Sequence, residues 1–207
     1  MTKIKICGLT RPRDIEYVNE AKPDFCGFII GVPGSRRNVS PEQVRALRAS
    51  LKPGIRPVGV FVNGDIGTIA GLVRDQVLSV VQLHGQEDED YIRALRREIP
   101  APILQAFSVR CREDVKRAER SLADGILLDH GAGGTGESFD WSLLDGLSRP
   151  YILAGGLNPE NLPEAIGRLR PWGVDLSSGV ETDGIKDRDK ILAAVQAVRT
   201  IDMEVEP

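Results

Sequence analysis

Apolar residues recur along the chain in short runs, separated by longer stretches whose hydrophobic positions fall at helical spacing. The runs are IKIC at 4–7, FCGFII at 25–30, PVGVFV at 57–62, SVVQLH at 79–84, PILQAF at 102–107, GILLD at 125–129, PYILAGG at 150–156 and GVDLSSG at 173–179. Each reads as a buried strand of a parallel sheet. The intervening segments 12–21, 41–51, 66–74, 88–98, 113–120, 141–147, 159–169 and 187–198 read as helices. Two carry start signals, Ser40-Pro41 with Gln43 behind it and Asn158-Pro159 with Asn161 behind it. Eight strand and helix pairs in 207 residues leave about 26 residues per unit, near the ~30 of a minimal βα repeat. The pattern therefore predicts α/β architecture, a single (β/α)8 barrel over 1–200, with 201–207 as a frayed tail. A doubly wound open sheet competes with it, but no clear GxGxxG follows the first strand and no linker interrupts the units.

In a closed barrel the chemistry gathers at the C-terminal strand ends, where the loops converge. That rule selects Cys7, Asp129, Gly155, Gly156 and the stretch 177–181. The first strand alternates, with Ile4 and Ile6 on one face and Lys3, Lys5 and Cys7 on the other, so the thiol stands on the polar side. The last two strands end in AGGLNPENL and DLSSGVE. Glycine there frees backbone N–H groups beside helix starts, and the two loops together predict phosphate binding at Gly155, Gly156, Ser178 and Gly179; singly, each would read as a tight turn. Asp129 caps an apolar run ahead of a flexible loop, 131–136. Poor solvation there would raise its carboxyl group above the ~3.9 of free aspartate, which suits a general acid. His130, past the strand end, reads as a loop residue.

Composition narrows the partners. A formal net charge of −3 argues against nucleic acid, although local basic clusters could hold a small anion. Three cysteines without a CxxC pair suggest neither a disulfide framework nor a metal site, and fit a reducing cytoplasm. The N-terminus lacks a signal-peptide profile, and no apolar run approaches the ~20 residues of a membrane span. Monomer and homodimer are both compatible with the sequence.

KICGLT at 5–10, GVFVN at 59–63, QLHG at 82–85, LLDHGAGGTGESFDW at 127–141, ILAGGLNPENL at 152–162 and VDLSSGVETDGIKD at 174–187 together resemble the phosphoribosylanthranilate isomerase family of tryptophan biosynthesis. The resemblance runs in order along nearly the whole chain. It implies a cofactor-free Amadori rearrangement of a small phosphoribosyl substrate, with Cys7 as general base and Asp129 as general acid. Free cysteine and free aspartate both sit in the wrong protonation state for those roles at pH 7. Lys3, Lys5 or a cationic intermediate could lower the thiol. The resemblance also places Arg37, within SRRNVS at 35–40, on the substrate carboxylate. Asn38 replaces the family's usual aromatic there, and the adjacent Arg36 is a second candidate. Gln82 and His84 would line the mouth, while Cys26 and Cys111 read as structural. Two alternatives stay open: the related histidine-pathway isomerase, which would carry aspartate at position 7, and a non-catalytic phosphosugar-binding barrel.

Overall fold

The computed structural model describes residues 1–130 and 140–205, with side chains given to Asp129 and from Asp140 to Ile201 on either side of the gap. Eight parallel strands alternate with helices, and the sheet closes on itself. The strands are β1 (Lys3–Cys7), β2 (Phe25–Ile30), β3 (Arg56–Phe61), β4 (Val80–Leu83), β5 (Ile103–Val109), β6 (Gly125–His130), β7 (Tyr151–Leu153) and β8 (Gly173–Leu176). Each pairs with its neighbours in sequence, and β1 pairs with both β2 and β8. The predicted (β/α)8 barrel is therefore the observed fold.

The helices are α1 (Pro12–Ala21), α2 (Pro41–Ala49), α3 (Ile66–Arg74), α4 (Glu89–Glu98), α5 (Arg112–Glu119), α6 (Leu162–Leu169) and α7 (Arg188–Val205). At α2 the predicted start is realised. Ser40 Oγ accepts from the Gln43 N–H at 3.1 Å while Gln43 Oε1 accepts from the Ser40 N–H at 2.7 Å, behind Pro41. Two expectations fail. Among the described residues, the unit after β6 carries a 3₁₀ turn, Trp141–Leu144, where the sequence predicts a helix over 141–147. Asn158 does not cap α6; its Oδ1 accepts from the N–H groups of Glu160 and Asn161 in a turn, so the helix begins at Leu162. Helix α7 extends to Val205, into the 201–207 segment that the sequence alone reads as a tail. The 131–136 loop lies outside the described residues, and no helix among the described ones is long and apolar enough to cross a membrane.

Strand alternation divides the core in two. Outward side chains such as Ile4, Ile6, Phe28 and Leu128 merge with the inner faces of the helices into one large cluster. Inward ones form separate small clusters, Phe25 with Val58 and Val80, and Leu127 with Ile152 and Ala154, both touching Leu104. These fill the lower barrel. A cavity of about 340 Å³ lined by Phe25, Arg56, Leu104, Tyr151 and Trp172 opens at the N-terminal strand ends below these layers, while above them, at the C-terminal strand ends, polar residues replace the apolar ones.

Candidate active site

Above the packed layers lies a cavity of about 550 Å³, bounded by strand ends and the loops that follow them. Cys7, Gln82, His84, Asp129, Ala154, Asp175 and Ser177 reach it from five different strands or their immediate extensions. A larger cleft of about 770 Å³ runs between α4 and α5, but charged helix-end side chains line it and it meets the mouth only at His84. Convergence of strand ends, rather than size, identifies the site.

The structure brings together every residue that the sequence nominates except Gly179, which stands directly behind this wall. Cys7 ends β1 and is buried at 6% exposure; Asp129, near the end of β6, is buried at 7%. Burial pushes the Cys7 thiol above its ordinary value; Lys5 pulls it back, Asp175 pushes it up further, and Lys186 opposes both. Lys3 plays no part in this. It sits at the opposite end of β1, paired with Asp24 at 3.1 Å, which corrects the expectation that it could assist the thiol. Lys5 is fully enclosed in the barrel and paired with Asp175 at 2.8 Å.

Across the mouth, Gln82 Nε2 lies 3.1 Å from His84 Nδ1. With Gln82 as donor, the imidazole carries its proton on Nε2, the nitrogen 3.8 Å from Asp129 Oδ2. Burial, reinforced by Lys5, lowers the His84 pKa, so the ring is neutral at pH 7. Two buried atoms of cavity-lining residues, Gln82 Oε1 and Asp175 Oδ1, have no hydrogen-bond partner among the described residues. Such atoms are costly to bury unless a ligand or water satisfies them.

Arg37 reaches the rim from the loop after β2. A two-residue strand, Asn38–Val39, pairs with the end of β2 and folds this loop back over the mouth. Asn38 holds it there by accepting from the Val32 N–H at 2.7 Å. The Arg37 guanidinium is already engaged: Nε and Nη2 donate to Glu181 at 2.6 and 2.8 Å. Nη1 is the end left over. Arg36 also reaches Glu181, at 2.9 Å, but is far more exposed. Glu181 further accepts from Lys186 at 2.6 Å, because a short hairpin, Glu181–Thr182 against Ile185–Lys186, returns the chain beneath it. Together Arg37 and Lys186 hold the Glu181 carboxyl group at about 2, against the opposing pull of burial.

Gly155 and Gly156 follow β7 with φ of 88° and 66°, the left-handed region that favours glycine. Gly179, in the 3₁₀ turn Ser178–Val180 after β8, packs so closely on the β7 loop that a Cβ there would collide with the Leu157 carbonyl oxygen. The backbone N–H groups of Gly155, Gly156, Ser178 and Gly179 donate to no acceptor among the described residues. Cys26, buried in β2, and Cys111, exposed at the start of α5, both lie outside the cavity lining. Sequence reasoning passed over Asp175 and Lys186. Asp175 was accessible to it, because in VDLSS it alternates with Ser177 on one face; Lys186 reaches the site only through the hairpin.

A closed (β/α)8 barrel that gathers a thiol, a carboxyl group and an arginine at one mouth is the framework of a barrel enzyme. The family model described as N-(5'phosphoribosyl)anthranilate (PRA) isomerase matches residues 4–197. The chain belongs to that family. It is 44% identical over 205 residues to the N-(5'-phosphoribosyl)anthranilate isomerase of Endomicrobium trichonymphae, covering 97% of this chain and all of the relative. The crystal structure of phosphoribosyl anthranilate isomerase from Thermotoga maritima superposes with a TM-score of 0.87 at 37% identity, covering 97% of this chain and 100% of that one. A further isomerase structure was solved in complex with reduced 1-(o-carboxyphenylamino)-1-deoxyribulose 5-phosphate. It has a TM-score of 0.85 at 36% identity, with 97% and 100% coverage.

Proposed function

We infer that the protein is the phosphoribosylanthranilate isomerase of tryptophan biosynthesis. It converts N-(5'-phosphoribosyl)anthranilate into 1-(2-carboxyphenylamino)-1-deoxyribulose 5-phosphate without a cofactor. The observation that carries the assignment of roles is the shared cavity: Cys7 and Asp129 line one space, beside two loops with unengaged N–H groups. Asp129 gives its proton to the furanose ring oxygen. The C1–O bond breaks with its electron pair on oxygen, and the nitrogen lone pair closes a C1=N bond. Cys7, as thiolate, then takes the proton from C2, and that bond's electrons form C1=C2 and neutralise the nitrogen. The enolamine tautomerises to the ketone.

The loops that carry Gly155, Gly156, Ser178 and Gly179 hold the phosphate: the first three line the open cavity with free backbone donors, which suit an anion, and Gly179 packs behind them. Arg37 takes the anthranilate carboxylate with its Nη1 end, while Glu181 fixes the rest of the guanidinium. Gln82 and His84 line the ring-opening side. Three unpaired cysteines suit a cytoplasmic setting. Purified protein should consume N-(5'-phosphoribosyl)anthranilate, followed as loss of its fluorescence. Absence of turnover by a folded preparation would refute the assignment.

A further inference from the structure

A buried charge pair lies directly behind the thiol, and the chemistry above makes no use of it. Lys5 stands two residues before Cys7 on the same inward face of β1 and is 1% exposed. Its partner Asp175, on β8, uses only Oδ2; Oδ1 is buried and unpartnered among the described residues. An isolated internal pair of this kind contributes little to stability, because desolvation offsets the attraction. Gly27, on the opposite flank, explains how close the groups stand. A Cβ at that position would lie 2.7 Å from Cys7 Sγ and 3.1 Å from Lys5 Cε, so the two side chains occupy the space that a glycine vacates.

We propose that Lys5 is the positioning residue of the general base: anchored by Asp175 and admitted beside Cys7 by Gly27, its ammonium is the counter-charge against which Cys7 loses and regains its proton. This rests on Cys7 being the base. Among the groups around the thiol, Lys5 acts from β1 and Asp175 from β8, Lys186 from the hairpin, Arg37 from the loop after β2, and Cys26 from β2 itself. His84 and Asp129 share the cavity. Arg37 and Lys186 are both engaged by Glu181. Lys5 is the cation set beside the sulfur in the barrel wall, and Asp175 sets how much of its charge the sulfur receives. When Cys7 is deprotonated the ammonium is shared between thiolate and carboxylate; when the proton returns, Asp175 holds it alone. Burial opposes the Lys5 charge, but Asp175 and Cys7 outweigh it and hold the ammonium above the ordinary lysine value, so it stays charged through the working pH range.

The pair predicts effects of opposite sign, which a purely structural role would not produce. The readout is the rate of Cys7 alkylation by iodoacetamide as a function of pH, located by peptide mass spectrometry. The background is Cys111→Ser, which removes the exposed cysteine; Cys26 is buried, with its thiol pushed up to about 12. An opposite charge in contact moves a pKa by about one to three units, and below the pKa each unit is tenfold in thiolate. Lys5→Met should therefore slow alkylation at pH 7 by about 10- to 100-fold and move the acidic limb of kcat/KM to higher pH. Lys5→Arg should restore most of the rate. Asp175→Asn should speed alkylation and move its midpoint to lower pH. Should Lys5→Met fail to fold, the double variant Lys5→Met/Asp175→Asn leaves no uncompensated internal charge and should still alkylate more slowly than the background protein. An unchanged rate in Lys5→Met, or a shift of the same sign in Asp175→Asn, overturns the role of Lys5. Turnover retained by Cys7→Ala would overturn the base assignment itself, a result separate from the alkylation rates.

Discussion

At the scale of single residues, Cys7 and Asp129 are each buried yet open to one cavity, as the roles proposed for them require. Cys7→Ala and Asp129→Asn should each lower kcat by about 10²- to 10⁴-fold, the usual span for removing a general acid or base. Affinity for reduced 1-(o-carboxyphenylamino)-1-deoxyribulose 5-phosphate should change far less, since neither group is assigned to binding. Steady-state kinetics and calorimetric titration check both parts, and near-normal turnover in either variant would remove that residue from its role. Arg37 offers a contrasting case. Its side chain is 12% exposed and clamped by Glu181, which fixes the guanidinium before any ligand arrives. Arg37→Ala should weaken the anthranilate-bearing ligand by about tenfold or more, the value of one charge-assisted bond, and leave ribose 5-phosphate nearly unaffected. Equal losses for both would place Arg37 at the phosphate or in the scaffold.

At the scale of elements, the barrel's C-terminal rim is made by loops that touch one another. Gly179 against the Leu157 carbonyl is the tightest of these contacts. Gly179→Ala must push the β7 and β8 loops apart, at a cost of about 1–3 kcal/mol typical of overpacking. Binding of ribose 5-phosphate should fall with it, whereas an alanine at the exposed Gly34, which meets nothing nearby, should leave thermal stability within about 0.5 kcal/mol. Melting curves and phosphate-ligand titrations separate these outcomes. The strands were legible in the sequence because burial on both faces forces continuous apolar runs, and the helices because they bury one stripe. Trp141–Leu144 and Asn158 were misread for a shared reason: a short segment with a capping residue satisfies a turn as well as a helix, and only tertiary contacts decide. The same limit hid the Glu181–Lys186 hairpin. Cys7 and Asp129 stood out as polar ends of apolar runs, whereas the relation of Lys5 to Asp175 required knowing that β1 pairs with β8.

At the scale of the whole molecule, carboxylates stitch the barrel at both ends. Below, Asp24 binds the Ile4 N–H, Lys3 and Arg199, and so ties β1 to α7; Asp124 takes the Ile103 N–H and Arg96, tying β5 to α4. Both are held below their usual values by these bonds in spite of burial, which pulls the other way. Above, Glu181 gathers Arg36, Arg37 and Lys186. A carboxyl group depressed in the folded state contributes stability above its unfolded pKa and loses it as pH falls through the folded one. For Glu181 that window runs from about 4.5 down to about 2, corresponding to about 3 kcal/mol. Acid unfolding should therefore begin below pH 4.5, with all three carboxylates contributing to the total. The difference between wild type and Glu181→Gln isolates one of them. At pH 7 the variant should be less stable by at least that amount, because Arg37 and Lys186 are left enclosed without their partner. The gap should narrow as pH falls from 4.5 to 2, since protonation then removes the same charge from the wild type. Urea titrations at a series of pH values measure it, and a gap that stayed constant over that range would mean that the Glu181 carboxylate does not carry the charge that holds the mouth together.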